Sequence, residues 1–171
     1  MVRSLSMLHL FVVLAVGYIG GVLLYRVIPG ADFPMIVRFY DGRAATNDST
    51  SLIIELTTVV SFFVLAAVLA MFKKTRYLVM LVGAFKSVLF GLASAHILAL
   101  EVNMLVYAGW WFPFHLVATF LVLLFCWTIS PPFFTRRPSK RQMHFKGPLM
   151  LFGASLVVFV VDKVVYSLLA G

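Results

Sequence analysis

Five stretches of this chain run for about twenty residues each with almost no charge, at about 5–25, 52–72, 77–100, 104–129 and 148–170. A hydrocarbon core about 30 Å thick is crossed by about 20 residues of α-helix, because a helix satisfies its backbone N–H and C=O groups internally. The pattern predicts an all-α integral membrane protein: a bundle of about five transmembrane helices forming a single membrane domain over 1–171. Composition agrees. Of the 171 residues 63% are hydrophobic and 12% charged, too few charges to clothe a water-facing surface. Arg3 ahead of Leu5–Tyr25 resembles a signal peptide. The apolar stretch is longer than a typical cleavable one and no A-x-A site follows, so an uncleaved first span is expected.

The basic residues orient the bundle. Arg3, Lys73, Lys74, Arg76 and the loop 131–147, with Arg136, Arg137, Lys140, Arg141 and Lys146, put nine Lys/Arg on one side. The other side has three, Arg26, Arg38 and Arg43, in the loop 26–51. Positive charge stays in the cytoplasm, which predicts an N-terminus inside, a C-terminus outside, an outer loop at 26–51 and a basic cytoplasmic loop at 131–147. Tyr107, Trp110 and Trp111 are expected as an aromatic belt at the outer end of the fourth span, with Trp127 at its inner end. The formal net charge of +8 is thus a topology signal, and no nucleic-acid partner is expected.

Pro29, Gly30, Asp32 and Pro34 end the first span, and Asp41-Gly42 and Asn47-Asp48-Ser49 prolong the break. Between them Phe33–Tyr40 reads as an interfacial stretch lying along the membrane surface. The lone Cys126 excludes an intrachain disulfide and reads as a small buried hydrophobe.

Small residues mark where helices approach. Gly83, Ser87, Gly91 and Ala95 recur every four residues in the third span, and Gly17-x-x-x-Gly21 offers a counterpart in the first. In lipid, close backbone approach replaces the hydrophobic effect as the source of helix association. These positions are expected to pack within the chain or against another one.

Ionisable groups at membrane depth are costly and therefore informative. Lys86 lies near the middle of the third span and Asp162-Lys163 in the outer half of the fifth. Glu55 opens the second, and His96 and His115 lie toward the outer ends of the third and fourth. At about 1.5 Å per residue, Asp162 and His115 share a depth and Lys86 lies somewhat deeper. Two readings follow. One is a working site, a proton relay or a polar substrate pocket. The other is a buried Lys86–Asp162 ion pair that fixes helix register, with Lys163 snorkelling outward. No H-E-x-x-H motif, nucleophile–base arrangement, phosphate loop or CxxC occurs, so no metal, no cofactor and no enzymatic activity are expected. Pro113 should kink the fourth span or divide it into a short outer segment and a longer inner helix.

The segment Ala84-Phe85-Lys86-Ser87-Val88-Leu89-Phe90-Gly91 resembles the signature helix of the stage II sporulation protein M family, in which a Lys precedes a short apolar run ending in Gly. The order of features is also similar: a Gly-rich first span (Gly17, Gly20, Gly21), a long outer loop, Pro113 in the fourth span, a basic inner loop and Asp162 in the last span. The chain departs from that pattern before the second span, where Asn47 stands without a preceding His. The resemblance implies a non-enzymatic multi-pass protein of a bacterial cell membrane, acting as a scaffold or recruiting subunit in sporulation or cell-envelope remodelling. Its partners would be other membrane or extracytoplasmic proteins, cell-wall hydrolases among them. The alternative is the membrane subunit of a transporter, a permease or substrate-binding component working with a separate ATPase. The intramembrane Lys86, His115 and Asp162 and the Pro113 break support that alternative.

Overall fold

The structure, a computed structural model, describes residues 2–27, 36–37, 40–41, 52–72, 74–100, 103–130 and 146–170. Five long helices carry it: α1 (Val2–Val27), α2 (Leu52–Met71), α3 (Val79–Ala99), α4 (Met104–Ile129) and α5 (Lys146–Ala170). A single 3-10 turn, Arg76–Leu78, leads into α3. Among the described residues there is no β-strand. Four of these helices contain stretches long and apolar enough to cross a membrane, and α2 contributes a shorter apolar stretch, Glu55–Met71.

The outside of the bundle is as apolar as its inside. Val16 on α1, Val64 on α2, Leu81 on α3 and Leu149 on α5 are all more than half exposed. A water-soluble protein rarely presents such continuous apolar faces, and lipid is the solvent they fit.

Helix α3 is the centre, packed against α1 most extensively and also against α2 and α4, while α5 leans on α4. Its small residues explain the position. A Cβ on Gly17 would come 2.6 Å from the Ser87 Cβ, one on Gly21 would strike the Val88 carbonyl oxygen, and one on Gly91 the Tyr18 carbonyl oxygen. Gly83 faces elsewhere: its missing Cβ would meet Leu123 Cδ2 of α4 at 2.7 Å. At about 3.6 residues per turn, each four-residue step rotates by roughly 40°. One stripe therefore serves two neighbours, Ser87 and Gly91 facing α1 and Gly83 facing α4. Ala95, at its far end, is half-buried.

Two expectations about the ends of the helices need correction. Val37, Tyr40 and Asp41, ahead of α2, are buried, Val37 completely, so these three are tucked among the helices instead of lying along the membrane surface, while Ile36 is exposed and the rest of 33–40 lies outside the described residues. Tyr107, Trp110 and Trp111 are likewise buried, none more than 8% exposed. They form part of the core and not a belt at the lipid interface. The Trp111 ring stacks on Phe90 and His115, and Trp110 lies against Tyr166.

Pro113 does not break α4. Lacking an N–H, it cannot bond to the carbonyl of Gly109, and the helix widens just before it into a π-helical segment, Tyr107–Trp111. There the Phe112 N–H donates to the Tyr107 carbonyl, and α4 continues through the widened turn to Ile129.

Candidate functional site

A cavity of about 50 Å³ lies where α2, α3, α4 and α5 meet the segment bearing Tyr40 and Asp41. That is room for a few water molecules. Its wall carries Lys86, Asp41, Glu55, His115 and Asp162, with the hydroxyls of Tyr40, Thr58 and Ser155. Val59, Phe114, Ala118, Val158 and Phe159 supply the apolar remainder.

Each polar group reaches the cavity for a local reason. Glu55 and Thr58 are three residues apart in α2 and so share a face. Ser155 and Asp162, seven apart, do the same in α5. Lys86 leaves α3 opposite the side that Gly91 and Ser87 press against α1. In α4, Trp111 and His115 are one turn apart, and the His115 Nδ1 lies 3.0 Å from the Trp111 carbonyl oxygen.

The ionic contacts differ from those expected. Lys163 forms an ion pair with Glu55 instead of reaching outward, and this pair joins α5 to α2. Phe63 and Phe152, with ring centroids 5.3 Å apart, join the same two helices about two to three turns further along. The Lys86 ammonium does not pair with Asp162. It lies over two rings, 4.4 Å from the Phe62 centroid and 4.9 Å from that of Tyr40. An ammonium over ring faces is held by the ring quadrupole, worth about 2 kcal/mol when desolvated. Lys86 and Asp162 are nevertheless both buried and both face the cavity, at 6% and 5% exposure.

Asp41 is the residue that sequence reasoning missed. It is 3% exposed, and one carboxylate oxygen, Oδ2, accepts the Trp111 indole N–H at 2.8 Å and lies 3.2 Å from His115 Nε2. Beside it, burial pushes the Tyr40 phenol well above its ordinary pKa, so it stays protonated. Its oxygen is 3.5 Å from Thr119 Oγ1. Asp41-Gly42 reads as a turn in sequence because nothing local distinguishes a carboxylate capping a loop from one inserted between helices.

The sequence candidates thus separate. Lys86, Asp162, His115 and Glu55 come together around one cavity. His96 does not join them: it stands edge-on to Tyr25 of α1, ring centroids 5.8 Å apart. Close to it runs a different polar contact, in which the Tyr18, Ser94 and Tyr107 hydroxyls are linked at 2.7 and 2.5 Å and tie α1, α3 and α4 together.

Comparison of the chain with family models, curated proteins and solved structures finds no match. Function is therefore argued from the site.

Proposed function

We propose that the chain crosses the membrane five times, with its N-terminus in the cytoplasm and its C-terminus outside, and serves as the membrane subunit of a transport system. The observation that carries this reading is the cavity itself. Five ionisable side chains from α2, α3, α4, α5 and the Tyr40–Asp41 segment converge on one small space at membrane depth. Charges buried in a membrane are expensive, and where several face one water-sized cavity they mark ion or substrate pathways. The resemblance of Lys86–Gly91 to the sporulation family supports a scaffold reading, and the site supports transport more strongly.

The five-crossing topology draws on the nine-to-three Lys/Arg asymmetry and on α2, whose 20 residues span about 30 Å as a helix. It places the cavity toward the outer face.

Affinity purification in mild detergent tests the reading. A cytoplasmic ATPase recovered in constant proportion with the chain is the expected result. Recovery of extracytoplasmic cell-wall hydrolases without an ATPase would overturn it in favour of the scaffold.

A further inference from the structure

The contact between His115 and Asp41 constrains where a proton must be. His115 Nδ1 lies 3.0 Å from the Trp111 carbonyl oxygen. A carbonyl oxygen only accepts, so Nδ1 carries the hydrogen. A neutral imidazole has one N–H, which leaves Nε2 as a bare lone pair. Nε2 faces Asp41 Oδ2 at 3.2 Å, and a carboxylate oxygen is also only an acceptor. Two lone pairs at that separation repel. The contact becomes a hydrogen bond when a proton stands between Nε2 and Oδ2.

We propose that the cavity is a proton-binding site, in which the His115–Asp41 pair holds one exchangeable proton and its departure loosens the Tyr40–Asp41 segment from α4. The proposal rests on the transport reading and adds to it the coupling ion. In the loaded state the pair is imidazolium with carboxylate, and its net charge is zero. On unloading, the Nε2–H bond breaks, the electron pair stays on Nε2 and the proton passes to water in the cavity. What remains is an Nδ1–H imidazole and a carboxylate, with net charge −1.

The surrounding charges make that proton decisive. Lining the same cavity are Lys86 from α3, Glu55 from α2 and Asp162 from α5, with Lys163 paired to Glu55 behind them, while the Tyr40 ring lies 5.5 Å from His115. Loss of the proton adds one negative charge to a site at membrane depth and turns the contact between Nε2 and Oδ2 from a hydrogen bond into a repulsion. Relief comes from moving Asp41, which the Trp111 indole N–H holds from α4.

Two measurements test this. In protein labelled with ¹⁵N only at histidine and held in nanodiscs, the His115 signals are assigned by their loss in His115→Gln. Neutral His115 should be the Nδ1–H tautomer, opposite to the preference of a free side chain in water, and lowering the pH should protonate Nε2. A neutral Nε2–H tautomer, or no change with pH, overturns the proposal.

In a Cys126→Ala background, Ile36→Cys should react with a membrane-impermeant maleimide faster as pH rises. The expected gain is roughly tenfold beyond the thiol's own response, read at the exposed Leu105→Cys, as one charge-assisted hydrogen bond is lost. His115→Gln, whose amide can donate to Asp41 at every pH, should abolish the extra gain. An extra gain that survives in His115→Gln, or none in the parent chain, overturns the proposal. A histidine that behaves as stated in a chain that recovers no ATPase would leave the proton site standing and remove the transport reading.

Discussion

At the residue scale the cavity holds its charges by unequal means. Glu55 and Lys163 pair directly, and Lys163 is the more exposed of the two, 18% against 7%. Removing Lys163 therefore takes the ammonium from a buried carboxylate, whereas removing Glu55 lets a long side chain climb toward the surface. Lys163→Met should destabilise the protein by about 3 kcal/mol and Glu55→Leu by clearly less, with the double variant recovering most of the loss. Thermal unfolding in detergent measures all three. Equal losses for the two single variants would show that Lys163 cannot reach water. Lys86 presents a different case, because its partners are the faces of Phe62 and Tyr40. Phe62→Leu should then weaken the hold on Lys86 while leaving the ammonium in place, a change of about 1–2 kcal/mol.

At the element scale the crossing of α1 and α3 depends on a few missing Cβ atoms. A methyl group on Gly21 or Gly91 meets backbone carbonyls, which cannot swing aside, whereas one on Gly20 meets nothing within 4 Å. Gly21→Ala should cost about 1–3 kcal/mol and lower the folded yield, and Gly20→Ala should change neither. Fluorescence-detected size-exclusion chromatography compares the two in one experiment. If Gly20→Ala proves the more damaging, α1 and α3 do not pack as described. This contact was legible in the sequence because close approach demands small residues and leaves a visible spacing. The π-helical turn of α4 was only half legible. Pro113 announced a disturbance, but its effect was to widen the helix and not to divide it, since the Phe112 N–H finds the Tyr107 carbonyl and the turn keeps Tyr107, Trp110 and Trp111 in the core.

At the scale of the whole molecule, the long helices were readable because lipid demands about twenty apolar residues, a pattern that needs no knowledge of neighbours. The gathering of Lys86, Asp162, Glu55 and His115 was readable for the same reason, as ionisable groups have few places to go within a membrane. Which of them pair was not readable. Lys163 was expected outside and turned inward to Glu55, a choice set by helix rotation that sequence spacing does not specify. Asp41 and Tyr40 escaped because a short stretch inserted among helices has no period of its own. The proposed topology predicts that a reporter fused after Gly171 lies outside the cytoplasm and one inserted at Ser139 inside. A cytoplasmic C-terminus would mean an even number of crossings and would move the cavity to the other face.

The central claim is that a polar cavity, with room for a few water molecules, lies within the membrane toward its outer face. Thr57 and Thr58 test it most directly, because they share a depth on α2 while Thr57 faces outward, exposed, and Thr58 is buried against the cavity. A thiol reacts as thiolate and so needs water. In a Cys126→Ala background, silver ion, a thiolate-binding probe small enough for a water-sized cavity, applied from outside should bind Thr58→Cys and leave the lipid-facing Thr57→Cys untouched. Modification of Thr57→Cys with Thr58→Cys inert, in folded protein, would contradict the account.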